Sequence, residues 1–234
     1  DAGLRDAGSV AALARQADIV LSVCPPHVAR DVAGQVAGHA SLFIDANAVS
    51  PATAREIAAT VAEAGGHAID GGVVGPPPRG DASASLLLSG ADADRVAVLF
   101  EGTRVRARVL GTEIGAASAA KMAFAAWTKG SAALLLAVRA LAKAEHVEDA
   151  LLAEWAITHP DMPAASERAA RGAAGKSWRW VGEMEEIAAT FRDVGLPGGF
   201  HDAAGAVYER LAAAPGTDLQ SVLDALACDT FRHG

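Results

Sequence analysis

The residue best suited to chemistry is Lys121, which stands near the start of a long Ala- and Leu-rich segment. If that segment is helical, Ser118, Ala125 and Thr128 share its face, because they lie three, four and seven residues away. A face this small and apolar places the amine where water is scarce, and such a lysine can act in acid/base chemistry or stabilise negative charge. The alternative is a solvated lysine whose stem lies along the helix surface.

Three loops carry the other candidate residues, and each follows an apolar run. They are residues 24–26 (CPP), 45–48 (DANA) and 70–75 (DGGVVG). Gly, Pro and Asn in these loops let a ligand approach the backbone closely, and the glycines of the third loop are interpreted as a tight turn. Ligands of open α/β sheets bind at the carboxyl ends of the strands. We therefore predict that Lys121 faces these loops.

The elements that position these residues alternate in the first half of the chain, where short apolar strands are separated by helices. The predicted strands are residues 18–24, 42–45, 67–70, 86–88 and 105–110, and the predicted helices are residues 9–15, 27–36, 50–64 and 92–100. Continuous apolar strands that alternate with helices predict an α/β fold with a Rossmann-like, doubly wound parallel sheet.

No strand pattern recurs after Leu110. A helix from Gly115 to Glu145 is predicted to be roughly 45 Å long, since each residue adds about 1.5 Å. Further helices are predicted at residues 148–158, 164–174, 178–194, 200–213 and 219–227. We therefore predict a Rossmann-like domain at residues 1–112 and an all-helical domain at residues 113–234, led by a long interdomain helix.

Composition excludes several classes of protein. The 234 residues carry a net charge of −8, which argues against nucleic acid or an anionic membrane as the main partner. Cys24 and Cys228 lie far apart without metal-ligand spacing, which argues against a disulfide framework or zinc site and favours a reducing cytoplasm. Lys129 and Arg139 interrupt the richest apolar run, so no transmembrane helix is expected.

Four stretches, in this order, resemble the β-hydroxyacid dehydrogenase superfamily, which includes 3-hydroxyisobutyrate and 6-phosphogluconate dehydrogenases and the imine reductases. Residues 19–26 (IVLSVCPP) resemble its cofactor-contacting strand end, and residues 44–51 (IDANAVSP) resemble its Asp-x-Ser-Thr-x-Ser-Pro segment beside the nicotinamide. Residues 70–76 (DGGVVGP) stand where the family has its substrate-carboxylate loop. Residues 115–121 (GAASAAK) resemble Gly-x-Gly-x-x-x-Lys, whose lysine is the family's catalytic residue. The likeness extends over nearly the whole chain.

The resemblance implies an oxidoreductase that uses NADP or NAD and transfers a hydride between the nicotinamide and a small hydroxyacid or related carbonyl compound. Lys121 is then the catalytic residue. The implied cofactor-binding residues are Val23, Cys24, Pro25, Pro26, Asn47 and Ala48. The implied substrate-binding residues are Gly72, Val74, Gly75, Phe124, Ala125 and Trp127.

Departures from the family pattern narrow the substrate. Val74 replaces the family's loop serine, and Ala125 replaces the asparagine four residues after the lysine. Phe124 and Ala125 cannot hydrogen-bond a sugar hydroxyl, so sugar-phosphate decarboxylation is rejected. The pocket is expected to be more apolar than in classical members, with Phe124, Trp127 and Trp180 as candidate lining residues. Imine reductases have also changed the polar groups at this position, so imine reduction is the alternative chemistry.

The family's Gly-x-Gly-x-x-Gly turn, which leads into the helix that binds the cofactor pyrophosphate, does not occur in the sequence, whose first residue is Asp1. A βαβ unit needs 30 or more residues, so about 40 to 60 residues are expected upstream. The competing interpretation is a non-catalytic remnant that acts as a binding or assembly protein. An upstream strand followed by this glycine motif would favour the enzyme.

Two groups of residues allow more than one interpretation. Asn47 either hydrogen-bonds the cofactor carboxamide or caps the loop before Ser50. Glu185 and Glu186 stand in the region of the family's Lys-Asp pair, and they either touch the ligand or form an exposed helix face. The expected partners are a small-molecule substrate and a second copy of the chain, bound through the helical domain, because the long helix exposes more Ala and Leu surface than one small domain covers.

Overall fold

The protein divides into two compact units. The structure is a computed structural model that describes residues 3–213 and 216–227, and Cys228 lies outside these residues. The first unit comprises described residues up to 124 together with 189–196, and the second comprises 125–188 and the described residues from 197 onward. The division lies between Phe124 and Ala125, inside the long helix. The predicted boundary at about residue 112 does not coincide with this division. It lies where the secondary structure changes from strands and helices to helices alone.

The described part of the first unit contains a five-stranded sheet in the order β1-β2-β3-β4-β5. The strands are β1 (Ile19–Ser22), β2 (Leu42–Asp45), β3 (His67–Val74), β4 (Ala84–Ser89) and β5 (Val105–Val109). β1, β2 and β3 are mutually parallel, β4 is antiparallel to β3, and β5 is parallel to β4.

The predicted α/β class is confirmed, but the prediction that all strands are parallel is wrong. Only residues 75–83 connect β3 to β4. A parallel crossover needs about a dozen residues or more, usually with a helix, so this short connection returns the chain in the opposite direction. The strands β1, β2 and β3 therefore run in one direction, and β4 and β5 run in the opposite direction.

The helices of the first unit begin where the sequence indicates. They are α1 (Val10–Gln16), α2 (Ala29–Val36), which follows a 3₁₀ turn (Pro26–Val28), α3 (Pro51–Glu63) and α4 (Ala93–Val98). Ser9 Oγ accepts the N–H of Ala12 at 3.1 Å, and Ser50 Oγ accepts the N–H of Thr53 at 3.2 Å. Both predicted N-caps are confirmed, because these hydroxyls satisfy N–H groups that lack partners in the first turn.

Helices cover both faces of the sheet. Phe43 and Ile44 are neighbours in β2, yet they belong to different buried clusters, because successive strand residues face opposite sides. The cluster around Phe43 includes residues of α1, α2 and α3. The cluster around Ile44 includes Leu88 and, from α4, Val96. The predicted doubly wound arrangement is confirmed.

Only helices follow β5 among the described residues. They are α5 (Ala116–Ala144), α6 (Glu148–Thr158), α7 (Met162–Ala173), α8 (Ser177–Asp193), α9 (Gly199–Ala212) and α10 (Leu219–Ala227). The 29 residues of α5 make it about 43 Å long. Alanine and leucine dominate its sequence, and both favour helix.

Helix α5 is long and apolar enough to cross a membrane by length and composition alone, contrary to our expectation. This is weak support for a span, because core helices of soluble proteins meet the same criterion. The two cations that interrupt its apolar sequence are paired within the second unit. Lys129 contacts Glu183, and Arg139 contacts Glu148 at 2.5 Å.

Candidate active site

Four polar residues lie side by side across the sheet. Ser22, Asp45 and Asp70 are in register on the parallel strands β1, β2 and β3, and Ser89 of β4 pairs with Asp70. All four are at most 5% exposed. We call them the polar row. Buried polar groups are costly unless they are hydrogen-bonded, so the partners of this row fix the local structure.

Asn47 joins the ends of β1 and β2. Its Nδ2 donates to Ser22 Oγ at 3.0 Å and to Asp45 Oδ1, and its Oδ1 accepts the backbone N–H of Cys24 at 2.5 Å. Both amide hydrogens of Asn47 are therefore used within the protein. Asn47 thus holds the loop before Ser50 to the ends of β1 and β2, while Ser50 itself caps α3. A contact between Asn47 and a cofactor stays a prediction.

Asp70 attaches the start of α5 to the sheet. Its Oδ2 accepts hydrogen bonds from Ser89 Oγ at 2.9 Å, from the N–H of Gly115 at 2.9 Å and from the N–H of Ser118 at 3.0 Å. Ser118 Oγ donates to Oδ1 at 2.6 Å. A carboxylate is favourable here because the N-terminus of a helix carries partial positive charge and N–H groups without partners. Asp70 therefore sets where α5 begins.

The glycines after Asp70 serve close packing rather than the predicted tight turn. Gly71 and Gly72 lie inside β3, which continues to Val74. A Cβ on Gly72 would lie 2.8 Å from the Cβ of Lys121, and a Cβ on Gly71 would lie 3.0 Å from a backbone oxygen of Asp45. The turn begins only at Gly75, whose φ is +108°. The two strand glycines thus let α5 and β2 approach β3.

Lys121 lies directly over β3 as a result. Its Nζ donates to the backbone oxygen of Val73 at 2.6 Å, and the residue is half-buried. The amine is therefore held beside the last residues of β3, next to Val74. A lysine in this place can donate a proton, or place positive charge, beside a ligand at the end of the strand.

The remaining predicted residues of the first unit lie near the ends of the parallel strands. Val23 is exposed, Cys24, Pro25 and Ala48 are half-buried, and Pro26 is buried at the start of the 3₁₀ turn. Cys24 follows β1 rather than belonging to it, and it is a free thiol. The bond between Cys24 and Asn47 brings the two predicted cofactor segments together.

The predicted substrate residues are divided between the two units. Gly72 is covered by Lys121, Val74 is half-buried, and Phe124 is half-exposed at the end of the first unit. Ala125 and Trp127 belong to the second unit, where Ala125 is buried and Trp127 is 76% exposed.

The sequence analysis missed a second lysine of interest, in the second unit. Lys129 Nζ contacts Glu183 Oε2 and lies 5.4 Å from the centroid of the Trp180 ring. Tyr208 donates its O–H to the backbone oxygen of Lys129 at 2.6 Å. Burial lowers the pKa of Lys129 below its usual value, although Glu183 acts in the opposite direction. Burial also raises the pKa of the Tyr208 phenol well above its usual value.

No local signal in the sequence could have found this pair, because 54 residues separate Lys129 from Glu183. The sequence drew attention to the neighbouring Glu185 and Glu186 instead, of which Glu185 is exposed as expected and Glu186 is half-buried. Within residues 3–213 and 216–227, no group of three or more His, Cys, Asp or Glu residues could hold a metal ion.

Comparison with known proteins finds a family model that matches part of the chain and solved structures that are similar to it. A family model described as a domain of unknown function (DUF1932) matches residues 142–211. A conserved hypothetical protein from Sinorhizobium meliloti 1021 has a similar structure, with 28% identity and a TM-score of 0.71, covering 93% of this chain and 77% of that chain. No curated protein matches the chain by sequence.

Two enzymes have the same fold. The 3-hydroxyisobutyrate dehydrogenase of Mycobacterium tuberculosis, solved with L-serine, is 20% identical with a TM-score of 0.68, covering 94% of this chain and 83% of that chain. A reductive aminase from Aspergillus terreus, solved with NADPH and ethyl levulinate, is 20% identical with a TM-score of 0.51, covering 93% and 82%. At these identities the comparisons confirm the fold that the resemblance implied, a Rossmann-like domain followed by a helical one.

Proposed function

We propose that the protein is an NAD(P)-dependent oxidoreductase that transfers a hydride between the nicotinamide and a small hydroxyacid or related carbonyl compound. The observation that carries the proposal is the position of Lys121, whose Nζ is 2.6 Å from the backbone oxygen of Val73 at the end of β3. The similar folds of a dehydrogenase and a reductive aminase support the same class of chemistry.

Lys121 would move a proton at the substrate oxygen. In the direction of reduction, its ammonium donates a proton to the carbonyl oxygen as negative charge develops there, and in the direction of oxidation its amine accepts the hydroxyl proton. Asp70 and Gly72 contribute by fixing the start of α5 and by letting the helix lie close to β3. These two residues are positioning residues, since neither has to touch the substrate.

The ends of β1 and β2 fit one end of a dinucleotide cofactor. Cys24, Pro25 and Ala48 are partly accessible there, and the bonds of Asn47 hold both segments in place. Nicotinamide supplies or accepts the hydride when it is bound. The 234 residues contain no Gly-x-Gly-x-x-Gly turn for the pyrophosphate, so the fit concerns the nicotinamide end of the cofactor.

An activity screen of the purified full-length protein tests the proposal. Small hydroxyacids with NAD⁺ or NADP⁺, and cyclic imines with the reduced cofactors, are followed by the absorbance of reduced nicotinamide. We expect turnover of at least one hydroxyacid. Turnover of imines alone would assign the alternative chemistry, C=N reduction. If titration detects no binding of either dinucleotide, the proposal fails and the competing interpretation, a non-catalytic binding or assembly protein, is favoured.

We also propose a homodimer formed through the helical unit. Leu141 and Ile157 are 62% and 79% exposed, and a second copy of the chain that covers them would remove this apolar surface from water. Analytical ultracentrifugation should show a dimer, and the double variant Leu141→Glu/Ile157→Glu should sediment as a monomer. A wild-type monomer would contradict the proposal.

A further inference from the structure

The second unit contains a cavity of about 670 Å³ between residues of α5, α6, α7 and α8. Its lining is mainly apolar, and it includes three of the four tryptophans of the chain, Trp127, Trp155 and Trp180. Small-molecule sites are typically concave, mostly apolar and about 300–1,000 Å³ in volume, with a small number of polar groups. The cavity has this size and this character.

One wall of the cavity is fixed without a ligand. The Trp180 ring packs edge-on against the Tyr208 ring, with centroids 5.0 Å apart. Lys129 lies 5.4 Å from the Trp180 centroid and is itself held by Glu183. A wall that is already ordered loses little conformational entropy when a ligand binds, so the site is prepared for binding.

The charge of the residues that line the cavity indicates the charge of its ligand. Arg168 is the one charged residue among the described residues that line the cavity, and it is exposed. It forms no ion pair within residues 3–213 and 216–227, whereas Arg171 on the same helix pairs with Glu167 at 3.3 Å. A guanidinium group binds a carboxylate through two parallel hydrogen bonds, so Arg168 suits an acid group at the edge of the apolar space.

We propose that this cavity binds a monocarboxylate with an aromatic or branched hydrocarbon body. The hydrocarbon body lies among the indole rings and the carboxylate binds Arg168. A neutral apolar ligand would leave the guanidinium group of Arg168 without an anionic partner. The site goes beyond the proposed redox function, because Lys121 does not line it and binding needs no nicotinamide. Trp127 and Trp180, which the sequence analysis predicted to line the substrate pocket, line this cavity of the second unit.

Calorimetric titration with phenylbutyrate tests the class of ligand, and phenylbutanol is the matched neutral probe. In the absence of nicotinamide, we expect phenylbutyrate to bind with a submillimolar Kd and phenylbutanol to bind about fivefold more weakly, as for the loss of one exposed ion pair. Equal affinity for the two probes, or no detectable binding of phenylbutyrate, would overturn the proposal. Neither result bears on turnover of hydroxyacids.

Substitutions then locate the site. Ala169→Phe fills the cavity and should abolish binding, whereas Ala164→Phe on the same helix changes an exposed residue outside the lining and should leave Kd unchanged. Gly172→Leu is a second filling variant in case Ala169→Phe does not fold, because a Cβ at Gly172 has only an ordinary contact, at 3.9 Å, with Trp180. Undiminished binding to a folded filling variant would exclude this cavity.

The charge contact has its own matched pair of variants. Arg168→Gln should weaken phenylbutyrate binding about fivefold and leave phenylbutanol unaffected, whereas Arg171→Gln should change neither. Binding of phenylbutyrate should also change the tryptophan fluorescence of the wild type. The Trp178→Phe variant should show the same change, because Trp178 is 59% exposed and does not line the cavity. If the filling variants change the sedimentation of the protein but not its ligand binding, a second copy of the chain occupies the cavity and the proposal is wrong.

Discussion

Two lysines of α5 illustrate two ways to place a cation inside a protein. Lys121, in the first unit, binds a backbone oxygen at the end of β3. Lys129, in the second unit, contacts the carboxylate of Glu183 and lies over an indole ring. The first contact holds the amine beside the end of a strand, where the proposed function has a ligand bind. The second contact joins α5 to α8 within one unit, so this lysine stabilises its unit.

The largest expected effect concerns the second lysine. Glu183→Ala leaves the ammonium of Lys129 buried without its carboxylate and should lower the free energy of unfolding by about 4 kcal/mol. Glu185→Ala, on the exposed side of the same helix, should change it by less than about 0.5 kcal/mol. Urea denaturation measures both. Equal losses in the two variants would show that Glu183 does not stabilise the buried ammonium of Lys129.

The next effect concerns the support of the first lysine. Asp70→Ala removes the acceptor of four hydrogen bonds at the start of α5 and should lower the free energy of unfolding by about 3 kcal/mol. Ser118→Ala removes one donor and should lower it by about 1 kcal/mol. A loss for Asp70→Ala no larger than that for Ser118→Ala would show that the carboxylate does not hold the helix.

A smaller change tests the close approach of α5 to β3. The Cβ of Gly72→Ala would lie 2.8 Å from the Cβ of Lys121, so the helix must shift and the free energy of unfolding should fall by about 2 kcal/mol. Gly34→Ala is the control, because nothing lies within 4 Å of a Cβ there, and alanine in a helix should stabilise by up to about 1 kcal/mol. If thermal unfolding shows the same change in both variants, the packing argument is wrong.

The smallest effect lies in the second unit and depends on pH. Tyr208→Phe removes one hydrogen bond to Lys129 and should cost about 1 kcal/mol. Because the fold raises the pKa of Tyr208, its contribution to stability is complete below the unfolded pKa of about 10 and is lost as pH rises beyond it. Tyr208 is the sole tyrosine, so tyrosinate absorbance reports it directly. Titration near pH 10 while the protein is still folded would contradict its burial.

Local patterns were sufficient to predict much of the fold. The caps Ser9 and Ser50 depend on residues within one helical turn, and α6 has its predicted bounds because its helical segment is followed by His159-Pro160. The direction of β4 was missed because strand pairing depends on the length of one connection. Runs of apolar residues indicate where strands lie, but they do not fix the exact residues at which the connection between two strands begins and ends.

The candidate site was predicted only in part, for the same reason. The spacing of residues 115–121 drew attention to Lys121. The roles of Asp70 and Gly72 depend on contacts with α5 that cross more than 40 residues of sequence, and a glycine pair looks the same in a turn and in a tightly packed strand. Glu183 could not be distinguished from Glu185 and Glu186 without the fold.

The rate of hydride transfer in a single turnover, measured for Lys121→Ala with the best hydroxyacid from the screen, tests the central claim most directly. We predict a rate at least roughly 100-fold below that of the wild type, with the affinity for the dinucleotide nearly unchanged, because the variant loses proton transfer and not cofactor binding. Lys176→Ala, at an exposed lysine, should retain the full rate. A Lys121→Ala protein that transfers hydride as fast as the wild type would contradict the account.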